Sequence, residues 1–370
     1  MRVQIIRKKP ISRNTGEMDC QIIRADFSAD YVPLHKQRID LSNAENPLGS
    51  SGIIAAAIKD SLGQIAHYPE RDHGNLIGAL SQHHGLPLES FFIGNGATGC
   101  IQNIVMTFVG NGGHVLLPEL SFPLPIFAAT VMGGGARKVP MTEDFRINFD
   151  VLLQSINKHT RLVFLCNPNN PTGIYEEPED ILEFAKKVRV PVLVSEANIE
   201  YAGTSLLEAF AMWPDNLIVV RSFSKVHGLA GLRVGYGIAA PKMVHEIMKF
   251  QLPFGVSHLS QAAAIAALRD VEHVRRSVLT MRGENKFLCK QLEVLGFEVL
   301  STDSNIFLAK LPDHVPDDLV FVASLERQGI TVLSGTAFSS SLRGWIRVSP
   351  RTRQINTSFI AGIKRALNCL

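Results

Sequence analysis

The chain is poor in charge: of 370 residues only 19% are Asp, Glu, Lys or Arg, below the roughly one-quarter usual for a soluble domain. Its 37 basic and 34 acidic residues nearly cancel, leaving +3. The densest basic cluster, Arg7-Lys8-Lys9, is too short to act as a nucleic-acid arm, so no nucleic-acid partner is expected. Five cysteines, odd in number and without C-x-x-C spacing, exclude a disulfide framework and a zinc knuckle, so reduced thiols and no metal are expected. The first nine residues lack the apolar stretch of a signal peptide. No run approaches the roughly 20 apolar residues of a membrane span. Low-complexity tracts and long-period repeats are absent too, which argues against solenoids and propellers. A cytoplasmic, membrane-free protein is the expectation.

What the chain has is apolar material, 46% of residues, too much for a disordered polypeptide. Short runs that are apolar on both faces recur at 113–118, 161–166, 191–194, 216–221 and 232–238, each bounded by loop signals. Such runs belong to a sheet buried between helices. Between two of them, residues 178–187 show helical spacing with acids first and bases last, the order that suits a helix dipole. The class is α/β, with function expected in loops after strand C-termini. Beyond about residue 255 the pattern changes. A long helical region runs from Gln261 past Glu284, followed by short strands near 297–300, 305–309 and 344–348. The spacing predicts a segment 1–40 joining a small domain, a large domain 41–255, and a smaller α+β domain 256–370.

Four strand-end loops carry the chemistry. Ser222-Phe223-Ser224-Lys225 opens a glycine-rich loop that reaches Arg233. A desolvated lysine is a nucleophilic amine, and two hydroxyls with a guanidinium suit a phosphate. By itself the spacing also fits a surface lysine in a glycine turn. Gly94-Asn95-Gly96-Ala97-Thr98-Gly99 leads into a helical pattern, where backbone N–H groups can meet an anion; a plain turn is the alternative. Asn167-Pro168-Asn169-Asn170-Pro171-Thr172-Gly173 and Ser195-Glu196-Ala197-Asn198-Ile199-Glu200-Tyr201 close two further strands.

With Glu45-Asn46-Pro47-Leu48-Gly49, Tyr68-Pro69 and Gln251-Leu252-Pro253-Phe254, these motifs span nearly the whole chain in one order. The sequence resembles fold-type I, class I/II aminotransferases, nearest the histidinol-phosphate aminotransferase branch. The resemblance implies the aspartate aminotransferase-like fold, with a mixed, mostly parallel sheet between helices in the large domain. It also implies pyridoxal 5′-phosphate as cofactor and amino transfer from an L-amino acid to a 2-oxo acid, in an amino-acid biosynthetic setting. Lys225 would carry the cofactor as a Schiff base and then act as the base. Ser222, Ser224, Arg233 and the Gly96-Ala97-Thr98 turn would hold its phosphate, Phe122 would stack on its ring, and Asn170 would bond its phenolic oxygen. Arg347 would clamp the substrate carboxylate. Tyr68 would reach the phosphate of a partner subunit, implying a homodimer.

Three positions depart from the family pattern. Ser195 stands where an aspartate faces the ring nitrogen, and strand alternation turns the neighbouring Glu196 to the other side. Asn198 replaces a tyrosine that donates to the phenolic oxygen; Tyr201 nearby reads better as packing. Leu333 replaces an arginine that binds a substrate phosphate, with Arg343 ten residues on as a candidate substitute. A non-phosphorylated, apolar substrate is therefore expected. A decarboxylase, lyase or cyclase on the same fold, and a weakened cofactor-binding homologue, remain as alternatives. His227 reads as a loop residue without a chemical role.

Overall fold

Strands apolar on both faces form the centre of the computed structural model, which describes residues 39–370 apart from 111, 301, 303 and 316. β1 (Ile39–Asp40), α1 (Gly52–Asp60) and α2 (Gly74–His84) lead to β2 (Phe91–Gly94) and α3 (Gly96–Phe108). Next come β3 (His114–Pro118), α4 (Leu124–Val131), β4 (Gly135–Val139), α5 (Phe149–Ser155), β5 (Thr160–Cys166) and α6 (Pro178–Lys187). They are followed by β6 (Val192–Ser195), α7 (Ile199–Ala202), β7 (Leu217–Ser222), β8 (Gly235–Ala239) and α8 (Pro241–Met248). Helices α9 (His258–Arg269) and α10 (Val271–Val294) precede β9 (Glu298–Leu300), β10 (Phe307–Lys310) and α11 (Asp318–Glu326). β11 (Ile330–Thr331), β12 (Leu333–Ser334), β13 (Trp345–Val348) and α12 (Arg353–Asn368) finish the chain.

Seven strands form one sheet in the order β2-β8-β7-β6-β5-β3-β4. β8 runs antiparallel to both neighbours, and the other pairings are parallel. Alternation sorts the apolar side chains. Phe164, Cys166, Leu193, Ile218 and Val220 join the core with α3 and α4, while Val163, Val194, Leu217 and Val219 join that of α6 on the opposite face. Central strands are therefore apolar on both sides, and no hydrophilic period marks them. β4 lies at the sheet's rim and differs, with Ala136, Arg137 and Lys138 exposed.

A second, four-stranded antiparallel sheet runs β12-β13-β10-β9. One face, carrying Phe307, Ala309, Ile346 and Val348, packs with Leu288, Phe321 and Ile363 of α10, α11 and α12. β1 adds beside β11 in parallel, Ile39 opposite Ile330. Of the segment 1–40 expected to join this region, Ile39 and Asp40 do so, and residues 1–38 lie outside the described residues.

The helix expected over 178–187 is α6, with Glu179 and Asp180 in its first turn and Lys186 and Lys187 in its last. The long helical region after Gln261 is two helices. Asp270 ends α9 and caps α10, its carboxylate accepting from the His273 N–H at 3.1 Å. β8 starts later than the expected 232, because a 3₁₀ turn over Ala230–Leu232 and a left-handed Arg233 (φ 50°) come first. Among the described residues no helix is long and apolar enough to cross a membrane.

Candidate active site

β7 ends at Ser222 and delivers the lysine loop at the C-terminal edge of the large sheet. Buried Phe223 pins the loop, its N–H donating to the Val234 carbonyl and its carbonyl accepting from Leu229 N–H. The Ser224 N–H donates to Ser222 Oγ at 3.1 Å, and Arg233 Nη1 donates to Ser224 Oγ at 3.2 Å and to the Ala230 carbonyl at 2.9 Å. Arg233 closes over the first turn of α3, which contains no acid. Only glycine permits this approach at Gly96 (φ +71°), where a Cβ would stand 2.6 Å from Arg233 Nη2. At Gly235 a Cβ would stand 2.5 Å from Ala97 N. Two hydroxyls, a guanidinium and the free N–H groups of a helix start thus converge, a set matched to a phosphate dianion.

Lys225 follows directly. Burial first, with Arg347 and Arg233, pulls its amine down to about 8 against the opposing pull of Glu45. Arg347 comes from β13 in the other sheet and is 6% exposed. Its Nη1 donates to Asn170 Oδ1 at 2.8 Å and its Nη2 to the Ser42 carbonyl, while Phe338 lies 5.5 Å from its Cζ. Among the described residues no carboxylate comes within ion-pair distance of Arg347, and its Nε has no partner. Burial brings this guanidinium down to about 10 against the pull of Asp40. A buried cation held only by neutral acceptors is a receptor for an anion.

The three asparagines after β5 have separate duties. Asn167 exchanges hydrogen bonds with the Glu176 backbone, and Asn169 donates to the Leu120 carbonyl at 2.9 Å and to Thr172 Oγ1 at 3.0 Å. Asn170 spends its oxygen on Arg347, which leaves its amide N–H free to donate. Phe122 packs beside Ala97 on the core under α3 and α4. Ser195 ends β6, buried, with Cys166 as its strand neighbour. Glu196 is turned away, accepting from Ser205 Oγ at 2.6 Å and Leu206 N–H at 2.7 Å. Asn198 caps α7, buried, with its Oδ1 unpartnered.

A family model described as "Aminotransferase class I and II" matches residues 36–363. The chain belongs to this family. Histidinol-phosphate aminotransferase 2 of Carboxydothermus hydrogenoformans is 35% identical over 341 residues, 89% of this chain and 91% of that protein. The histidinol-phosphate aminotransferase of Moorella thermoacetica is 35% identical over 338 residues, 90% of this chain and 86% of its own. A solved histidinol-phosphate aminotransferase from Sinorhizobium meliloti, in complex with pyridoxal-5′-phosphate, superposes with a TM-score of 0.81 at 25% identity. That alignment covers 89% of this chain and 90% of the other. These matches favour amino transfer over the decarboxylating, eliminating and cyclising alternatives.

For a class I/II aminotransferase the residues present fit pyridoxal phosphate: a dianion cradle, a lysine with a lowered pKa and an unpaired buried arginine stand together. Buried Ser121, whose Oγ has no partner, and Phe338 over Arg347 were not singled out from sequence. Ser121 follows β3 beside Phe122, and Phe338 sits in no strand-end loop that the sequence marks. Arg343 does not replace the missing arginine at 333, since it is exposed and ion-paired to Asp317 at 2.8 Å. Leu333 lies directly opposite Arg347 across the β12–β13 pair, and Leu308 opposite it on the other side. Tyr68 is 82% exposed, its ring tilted against Phe254 at 5.0 Å, and among the described residues it makes no hydrogen bond or ring contact with the cradle. Tyr201 is a core residue with Val226 and Met281. His227 packs at 5.1 Å on Phe223, and burial with Arg221 pushes its imidazole down to about 3, which keeps it neutral.

Proposed function

We propose that this aminotransferase uses pyridoxal 5′-phosphate to move the amino group of an L-amino acid with an uncharged, apolar side chain to a 2-oxo acid. The observation that carries the reading is Lys225, lowered to about 8, set between a phosphate cradle and the unpaired, buried Arg347. When bound, the cofactor supplies an aldehyde for amine exchange and a ring that withdraws electrons from the substrate α-carbon. Lys225 would hold the cofactor through its amine and would then shuttle a proton from the substrate α-carbon to the carbon of the cofactor's aldehyde, across the intervening nitrogen. Ser222, Ser224, Arg233 and the Gly96-Ala97-Thr98 turn fix the phosphate, and Phe122 stacks on the ring. Asn170 and Asn198 donate to the phenolic oxygen, and Arg347 grips the substrate carboxylate through its fork. In this reading 41–255 form the large domain and 256–370, with Ile39 and Asp40, the small one.

The chain works as a homodimer in which Tyr68 completes the second copy's phosphate site. Ile53, Ile65, Tyr68, Leu252 and Phe254, all exposed, supply apolar surface for that contact. The site lies in the cytoplasm, a compartment that suits the unbridged cysteines Cys100, Cys166 and Cys369.

Leu333 sets the substrate class. The face of the small sheet that presents Arg347 also presents Leu333, Leu308 and Leu300 in one cross-strand row, and Phe338 stands over the guanidinium. Among the described residues of this row a phosphorylated side chain would meet no cation besides Arg347, which is committed to the carboxylate. Leu333→Arg is expected to raise kcat/KM for histidinol phosphate by roughly 10- to 100-fold, the worth of one charge-assisted bond. The same change should lower kcat/KM for leucine or phenylalanine, and steady-state kinetics on the three amines checks both.

The reading as a whole is tested by the absorption spectrum of the cofactor-loaded protein titrated with L-amino acids. Bleaching of the cofactor band by an apolar amino acid, with stoichiometric release of its 2-oxo acid, is the expected result. Release of carbon dioxide without a 2-oxo acid would overturn it.

A further inference from the structure

Ser195 shares a sheet face with the phosphate cradle. Cys166, Ser195 and Val220 form one row across β5, β6 and β7, and Ser222 lies two residues beyond Val220 on the same side. Glu196 and Arg221 alternate to the opposite face, where both Glu196 oxygens are engaged and Arg221 is ion-paired with Glu200 at 2.7 Å. Glu196 is therefore unavailable to the Ser195 side of the sheet, and Glu200 is held on the Arg221 side by its ion pair.

The connectivity of pyridoxal phosphate fixes which edge of its ring meets this row. The aldehyde carbon sits between the phosphate-bearing arm and the phenolic oxygen, with the ring nitrogen directly opposite it. The arm goes to the β7–β8 end, the phenolic oxygen to Asn170 beyond β5, and the aldehyde to Lys225. The nitrogen then falls toward β6, the strand between them, whose last residue is Ser195. Ser195 stands opposite Cys166, whose thiol donates to the Pro168 carbonyl at 3.4 Å and is pushed up to about 11 by burial, with no charged side chain acting on it. Every group at this corner is neutral at physiological pH.

We propose, building on the function above, that the Ser195 hydroxyl donates a hydrogen bond to an unprotonated ring nitrogen, so that this aminotransferase runs on a cofactor with a neutral ring. A carboxylate would hold a proton on that nitrogen by charge, whereas a hydroxyl partners the bare lone pair equally well and offers no counter-charge. A neutral ring draws less electron density from the substrate α-carbon. More of the proton transfer then depends on Lys225 moving the proton between the two carbons without delay. Ser195 is thereby a tuning residue for the reaction.

The test is nitrogen-15 NMR of the protein loaded with ring-labelled pyridoxal phosphate. The wild type is expected to show the resonance of an unprotonated pyridine, Ser195→Ala to keep it, and Ser195→Asp to move it to the pyridinium position. A pyridinium signal in the wild type would overturn this inference while leaving the function intact. An unmoved signal in a Ser195→Asp protein that melts cooperatively would overturn the assignment of Ser195 to the nitrogen. Failure of the wild type to take up the cofactor would remove the functional reading together with this one.

Discussion

Lys225→Ala is expected to lower amino-transfer turnover by on the order of 10⁴-fold, the upper range for loss of a positioned general base, with loss of the covalent hold in addition. The cradle of Ser222, Ser224 and Arg233 remains, so the variant should still bind the cofactor without a covalent link. Borohydride reduction followed by mass spectrometry checks this: the wild-type chain retains the cofactor mass and the variant does not. A variant that still retains it would place the attachment elsewhere. The lysine also sets a pH dependence. Its amine titrates near 8 in the fold against an ordinary 10.5, so at pH 7 the reactive neutral form is roughly 300-fold more abundant than on a free lysine. Cofactor capture by the cofactor-free protein should therefore quicken as pH rises through about 8. Between about 8 and 10.5 the unfolded chain holds a proton that the folded chain has released, so the cofactor-free protein gains stability as pH rises through that window. Lys225→Ala should lack that gain in pH-dependent melting.

Arg347→Met should separate function from stability. Removing the fork proposed to receive the substrate carboxylate should cut kcat/KM for amino acids by about 10²- to 10³-fold, as truncation of one partner of a buried charged pair does. Amines without a carboxylate should lose far less. The melting temperature of the cofactor-free protein, in contrast, should hold or rise, because the arginine is buried with no carboxylate partner and an apolar side chain of similar length has no desolvation cost. A large drop in melting temperature would show that the bonds to Asn170 and Ser42 brace the two sheets more than the arginine serves substrate.

The lysine loop was legible in the sequence because Ser222, Ser224, Lys225 and Arg233 act within one short stretch, where spacing encodes geometry. The central strands were legible because double-sided burial leaves unbroken apolar runs. β4 escaped notice for the converse reason: Arg137 and Lys138 at the rim break any such run, and pairing with β3 makes the strand. The break at Asp270 escaped because apolar spacing continues across it and a single side-chain cap divides the helix. The motif around Arg347 points to a carboxylate clamp, but its lack of a counter-ion and its grip on Asn170 are tertiary facts. They depend on residues 177 positions apart meeting across two sheets. The exclusion of Arg343 likewise rests on its pairing with Asp317, which spacing does not encode.

The guarded rim of the large sheet bears on how this protein behaves when crowded. Arg137 and Lys138 put like charges along the open hydrogen-bonding edge of β4, so a second β4 arriving edge to edge is repelled before its backbone can pair. The other terminal strand, β2, is buried along its whole length. Edge-to-edge pairing of the large sheet between folded copies is thus disfavoured at both of its ends.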